Sequence, residues 1–300
     1  MTNATTIEER KPREPTPGQA LKRRMRQHRG LKIGAAIVLT LLVIAIAAPL
    51  IAPHDPFEQS LQNRLLPPIW DARGSYDYLL GTDHLGRDYL SRLIYGARIS
   101  LTIGFCAAAI GCTIGVTLGI CAAYFGGRVD AAINYLLTCQ LSLPSLLLAM
   151  ALVFLIGPSL VVVICVIGFL HWNYFLVVSR TVTLQIKELD YVNAAQALGY
   201  SNTQVITQEI LPNLLNQIIV IFTIEIGYAI IAEASLSFLG VGVPAPNPSW
   251  GLMIAEGKNS MFIRPWLVVL PGMVLFLLVI GINLMGDGLR DVTAPDSRKG

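Results

Sequence analysis

Residues 180–213 read RTVTLQIKELDYVNAAQALGYSNTQVITQEILPN and stand between two long apolar stretches. The segment is too polar to cross a bilayer and too patterned to be slack. Tyr191, Ala194, Ala195, Leu198 and Gly199 precede a turn at Tyr200-Ser201-Asn202. Val205, Ile206, Glu209, Ile210 and Leu211 then recur at helical spacing up to Pro212. The pattern predicts a helix, a glycine-containing break, and a second helix leading into the next apolar stretch. Small alanines and a glycine on an exposed helix suit close docking into a groove on another protein. A helix lying against its own bundle is the plain alternative.

Outward from this segment, the chain is dominated by apolar runs. Of its 300 residues 54% are hydrophobic and 14% charged, against about 25% charged in soluble domains. A helix needs about 20 apolar residues to cross the hydrocarbon core. Six stretches qualify, at 33–51, 99–124, 135–156, 159–179, 215–238 and 266–285. The fold class read from this is an all-α polytopic membrane protein with six transmembrane helices. Pro144 is placed to kink the third. The first is read as a retained anchor, because some thirty residues precede it and its apolar core exceeds the about 15 residues of a cleaved signal.

Lysine and arginine placement sets the orientation. The formal net charge is only +3, but the segment before residue 33 holds Arg10, Lys11, Arg13, Lys22, Arg23, Arg24, Arg26, Arg29 and Lys32. The segment after the first span balances Arg64, Arg73, Arg87, Arg92 and Arg98 against six acids. Both termini and residues 180–213 are therefore expected in the cytoplasm, in an inner membrane. Residues 52–98 and 240–265 are expected outside. Pro12, Pro15 and Pro17 suggest a disordered tail. Leu21 and Met25 would share a face of a short basic helix whose arginines meet anionic lipid; a simple positive-inside anchor explains the same residues.

Several residues depart from a plain apolar bundle. Gly111, Gly115 and Gly119 recur every four residues and let two helix backbones approach closely. Glu225 and Glu233 lie inside the fifth span, where a carboxylate costs about 2.5–3.5 kcal/mol on insertion scales. Eight residues is about 80° around a helix of about 3.6 residues per turn, so the two could border one aqueous path. They are translocation-path candidates, with a carboxylate bonded to neighbouring helices as the alternative. His171, beside Trp172, reads as a hydrogen-bonded packing residue. Cys106, Cys112, Cys121, Cys139 and Cys165 lie in apolar runs and read as core residues, with no metal or disulfide pattern.

No nucleotide-cradling G-x-x-x-x-G-K-[ST] loop is present. Residues 251–258 come near but carry one residue too many and Asn259 in place of Ser or Thr. Met285-Gly286-Asp287-Gly288 lacks a second intramembrane aspartate to form a protease dyad. No catalytic residue is assigned, and no nucleic-acid partner is expected.

At this point the residues resemble a known family. Ala194-Ala195, Gly199 and Ile210-Leu211-Pro212-Asn213 look like the EAA loop of ATP-binding-cassette importer permeases. Asn193 stands where the name-giving glutamate usually sits. Residues 80–88 (LGTDHLGRD), Ser91-Arg92, Tyr95-Gly96-Ala97-Arg98, residues 233–240 (EASLSFLG) with Trp250-Gly251, and residues 283–291 (NLMGDGLRD) narrow the match to the second permease subunit of the oligopeptide/dipeptide/nickel branch. Ala294 before Pro295 is a minor departure. The resemblance implies a type I importer permease fold. It divides the chain into a basic segment 1–32, a first helix 33–51, an external segment 52–98, a five-helix core 99–287 containing a coupling loop 181–213, and a tail 288–300.

It also implies partners: a homologous permease, two ATPases that bind ATP and magnesium, and an external solute-binding protein. Tyr191, Asn193, Ala194, Ala195, Leu198, Gly199, Leu211 and Pro212 would dock the ATPase. Asp83, Arg87, Asp88 and Trp250 would form an external gate or touch the binding protein. For residues 80–98 the alternative is structural, with Gly81, Gly86 and Gly96 setting turns and Asp83 or Asp88 capping the next helix. The implied cargo is a short peptide; nickel or another small solute is the alternative. An ATPase-independent transporter or a structural membrane subunit are the alternatives of another class.

Overall fold

The computed structural model describes residues 23–293. Expectations for Pro12, Pro15, Pro17, Leu21 and the basic residues up to Lys22, and for Ala294, Arg298 and Lys299, lie outside the described residues. Among the described residues there is no strand, only an isolated bridge between Thr82 and Asp88. The sequence-based fold class, all-α and polytopic, is what the structure has.

Helix α1, Arg29–Ile51, opens where the His28 ring accepts the Leu31 N–H at 3.1 Å. Helix α2, Tyr89–Phe125, opens on Asp88, whose carboxylate accepts the Ser91 N–H at 2.8 Å. It closes at Gly126, in the left-handed region at φ 62°. Then come α3 (Gly127–Leu141), α4 (Ser145–Ile156), α5 (Leu160–Leu170), α6 (Trp172–Lys187) and α7 (Asp190–Ala197). Helix α8, Leu211–Phe238, follows without interruption from short turns over Asn202–Gln204 and Val205–Ile210. Helices α9 (Trp250–Gly257) and α10 (Trp266–Thr293) complete the chain.

Five helical stretches are long and apolar enough to cross a membrane: Arg29–Ile51, Tyr89–Phe125, Leu160–Lys187, Asn202–Phe238 and Trp266–Thr293. The expected third span is not one helix. It splits into α3 and α4, which meet at 87°. Pro144 lies in the break, where its ring and missing N–H prevent helix continuation. The pair still carries the chain across the bundle. The end of α2 lies beside α6, where Lys187 Nζ donates to the Ala123 carbonyl at 3.0 Å. On α5, Val163 packs with Ala149 and Val153 of α4 and with Val243 near the opposite end. Counted as one bent span, the pair brings the five membrane-length stretches to six.

The other limits shift too. Helix α2 starts ten residues before the expected 99, because Arg92 and its neighbours are buried in an ion cluster rather than solvated. The fourth span breaks at His171 and runs on to Lys187. The fifth begins in the polar loop itself. Pro212 cannot donate a backbone hydrogen bond, and the turn before it widens so that the Leu211 N–H reaches the Ile206 carbonyl five residues back.

Helix α2 is the central post, in contact with α1, α3, α5, α6, α8 and α9. The glycine stripe makes this possible. A Cβ at Gly115 would overlap the Trp172 carbonyl, and one at Gly119 would overlap the Ser179 hydroxyl. One at Gly111 would lie 3.1 Å from the Gly168 carbonyl. The bundle thus has two ends. One carries Trp250 and residues 52–88; the other carries Gly199, His28 and Asp291, the last two 3.2 Å apart.

Candidate functional site

The Gly199 end is built from α7 outward. Helix α7 closes as a two-bond left-handed cap: Tyr200 N–H donates to the Ala195 carbonyl and Gly199 N–H to the Gln196 carbonyl. Gly199 has φ 87°, which a side chain would disfavour, and open space where its Cβ would be. Ser201 then starts the next turn with a reciprocal cap to Gln204. Helix, glycine break and second helix are thus all present as the spacing predicted.

The faces of α7 are sorted cleanly. Tyr191, Asn193, Ala194, Leu198 and Gly199 are exposed, with Leu198 at 79%. Ala195, expected at the docking surface, is only 6% exposed. It lies on the face of α7 that also buries Val192, which packs with Val205, Ile210 and Leu214. Pro212 is exposed and Leu211 half-buried. The tip thus presents an exposed leucine beside small residues and a glycine.

At the Trp250 end the expected gate residues are interior. Asp83, Arg87, Asp88 and Trp250 are all buried, so in this conformation none is available to an external protein. Arg87 Nε donates to Asp83 Oδ2 at 2.6 Å, and its Nη2 reaches Glu256 at 3.2 Å. Arg92 Nη2 donates to Glu256 Oε2 at 2.9 Å, and its Nε lies 3.3 Å from Asp83 Oδ2. Two arginines and two acids thereby neutralise one another, which is what buried charges need. Asp83 also accepts the Leu85 and Arg87 N–H groups. Asp88 is a helix cap. Trp250 lies across Gly96, whose Cβ would sit 2.6 Å from the indole, and donates to the Leu93 carbonyl at 2.9 Å. These are structural contacts: Gly81 and Gly86 adopt positive φ in turns and Asp88 caps α2, whereas Gly96 lies inside α2 rather than at a turn. Glu256 was not singled out by the sequence, and Arg92 only as part of a family motif, because nothing local pairs residue 256 with residue 92. Asp83, His84 and Glu256 could bring ligand atoms together around a metal ion, but Asp83 and Glu256 are already engaged by the arginines.

The two carboxylates of α8 part company. Glu233 is fully buried, and its Oε1 accepts both the Ser237 hydroxyl at 2.7 Å and the Ser249 hydroxyl at 2.8 Å. Those serines in turn accept the Val243 and Leu252 N–H groups. Glu233 thus fastens the connection between α8 and α9 and does not line the cavities that Glu225 and His171 border. Glu225 instead pairs with His171, Oε2 to Nδ1 at 2.8 Å, and lines a cavity of about 380 Å³. A second cavity, of about 550 Å³, adjoins it and is lined by His171 and the α3–α4 break.

An all-α bundle of five or six membrane-length spans with an exposed helix–glycine–helix loop at one end is the architecture of a polytopic membrane protein, and its relatives are permeases. Residues 115–299 match the family described as binding-protein-dependent transport system inner membrane component. Residues 16–68 match the N-terminal transmembrane domain of oligopeptide transport permease C. The dipeptide transport system permease protein DppC of Haemophilus influenzae is 40% identical over 93% of this chain and 95% of its own. The di/tripeptide transport system permease protein DppC of Pseudomonas aeruginosa is 38% identical over 94% and 93%. Among solved structures, an inward-facing MetNI methionine ABC transporter chain aligns with TM-score 0.53 at 19% identity, over 67% of this chain and 96% of its own. The chain belongs to the family of binding-protein-dependent transport inner membrane components. It has the type I ABC importer permease fold.

Proposed function

We propose that this chain is one of two membrane-spanning permease subunits of an ATP-driven importer of short peptides. Exposed helix α7, with Leu198 and Gly199 at its tip, carries this reading. The surface of Tyr191, Asn193, Ala194, Leu198, Gly199 and Pro212 is the docking face for an ATPase subunit, with Leu211 at its edge and Ala195 supporting it from behind. ATP and magnesium belong to that partner. The peptide assignment is supported by relatives whose names are those of dipeptide and di/tripeptide permeases.

The Gly199 end faces the cytoplasm in this reading, supported by the basic residues before α1. The Trp250 end faces the solute-binding protein. The buried Arg87–Arg92–Asp83–Glu256 cluster makes that end a rigid unit that moves with α2 and α9 during alternating access. A homologous permease packs against the open side of the cavities. The external segment 52–98, the core 99–287 and its loop 181–213 keep the roles given above.

The experiment is reconstitution of the chain in liposomes with its permease partner, two ATPases and binding protein. ATP-dependent uptake of a radiolabelled dipeptide is expected, with none when the ATPases are omitted. Uptake that persists without ATPases contradicts the proposal.

A further inference from the structure

We infer that Glu225 is a contact for the amino-terminal ammonium of the passing peptide, with His171 as its positioning residue. This rests on the peptide reading above and adds to it a place and a chemistry.

Glu225 lies midway along α8, where a carboxylate costs about 2.5–3.5 kcal/mol to insert. Oε2 takes the His171 contact, and among the described residues Oε1 has no hydrogen bond. Glu233 also has one unbonded oxygen, Oε2, and both acids are buried. The difference is position: Glu233 lines neither cavity and holds a loop in place, whereas Glu225 forms part of a cavity wall.

That space suits a small cationic ligand. The cavities share Leu141, Asn173, Tyr174 and Tyr228 along their common wall. Their volumes, about 550 and about 380 Å³, fall in the about 300–1,000 Å³ range of small-molecule sites. No lysine or arginine lines either cavity, so an incoming cation meets a carboxylate without a fixed cationic rival. The Tyr174 and Tyr228 rings stack nearly parallel at 6.2 Å and present aromatic faces, which attract ammonium groups.

The backbone around the pair is irregular where it borders this space. The α3–α4 bend and the α5–α6 break converge there, and Gln140 Nε2 at the end of α3 donates to the Leu170 carbonyl at 2.6 Å. Non-helical backbone at membrane depth persists where it is buried in protein or lines a cavity. His171 is the residue at the α5–α6 break. Its bond to Glu225 therefore fixes the carboxylate relative to both helices.

The test uses the complete importer in liposomes and two dipeptides, one with a diazirine side chain on the amino-terminal residue and one on the carboxy-terminal residue. Illumination during turnover, followed by peptide mapping, is expected to label residues 171–178 and 221–228 from the amino-terminal probe preferentially. Glu225→Gln should cut that labelling and raise the transport KM on the order of tenfold, the size of losing one charge-assisted hydrogen bond. Stimulation of the ATPase by loaded binding protein should persist, which shows that the variant is folded and assembled. His171→Ala should raise KM in the same direction, and His171→Asn, which keeps a donor, should restore part of it while kcat changes little. Equal labelling from both probes, or an unchanged KM in Glu225→Gln, overturns the inference. Absence of dipeptide uptake by the unaltered importer overturns the peptide reading itself.

Discussion

The Asn213 side-chain amide donates to the Tyr191 hydroxyl at 3.1 Å, and also to the Glu209 carbonyl at 2.7 Å. It ties the first turn of α8 to the first turn of α7. The face of α7 opposite its exposed surface is fixed to the same helix through Val192 with Val205, Ile210 and Leu214. A force on α7 is therefore delivered to the long helix that carries Glu225.

Asn213→Ala removes that tie. The bond is exposed, so its loss should cost about 0.5–1.5 kcal/mol locally. Hydrogen exchange over residues 190–200 is expected to speed up several-fold, with the global melting temperature almost unmoved. Unchanged exchange there would mean the tie is idle.

The buried ion cluster makes a stronger prediction. Arg92→Met removes Glu256's 2.9 Å partner and leaves Arg87 alone to balance both Asp83 and Glu256, and breaking a buried pair costs about 3–5 kcal/mol. Membrane yield and melting temperature should fall sharply. Adding Glu256→Met should recover part of the loss, since it removes the excess acid and leaves Arg87 paired with Asp83. A double variant as unstable as the sum of the singles contradicts the pairing.

Two glycines of ordinary helical conformation should respond in opposite ways. Gly119 is pressed against Ser179 and the Leu176 carbonyl, whereas Gly272 in α10 has open space around its Cβ position. Gly119→Ala should destabilise the bundle by about 1–3 kcal/mol through overpacking. Gly272→Ala should be neutral or stabilising by up to about 1 kcal/mol. Thermal unfolding in detergent separates the two.

Glu233→Ala strands the Ser237 and Ser249 hydroxyls inside the protein. The expected cost is about 1–3 kcal/mol, read as lower melting temperature and faster proteolysis of residues 237–251. Transport KM of the surviving protein should stay near that of the unaltered importer. A KM shift like that of Glu225→Gln would put Glu233 on the path after all.

What was legible in the sequence followed its periodicities. The apolar runs located α1, α8 and α10, and the spacing of Gly111, Gly115 and Gly119 announced the contact with α5 and α6. Tyr191 to Gly199 and Val205 to Leu211 gave the helix–break–helix loop. Long-range charge pairing was hidden. Arg92 meets Glu256 across 164 positions, and no local pattern marks such a pair. Asp83 and Arg87 therefore looked like surface groups of an external loop. Ala195 carried the same composition signal as Ala194, and the helical turn alone decided that one faces out and the other in. The bend at Pro144 was visible as a proline, but its 87° angle depends on the packing of α4 against α5 and the end of α8.

The central claim is that the exposed face of α7 seats an ATPase. Ala194→Trp adds bulk on that face without backbone strain, and Gly199→Trp adds it at the tip, at a strain cost of about 1–2 kcal/mol for the left-handed position. Affinity purification of the membrane-inserted importer through this chain measures the result. The expected outcome is loss of ATPase subunits from both variants, with the permease partner retained. Full ATPase recovery with both tryptophans in place would contradict the account.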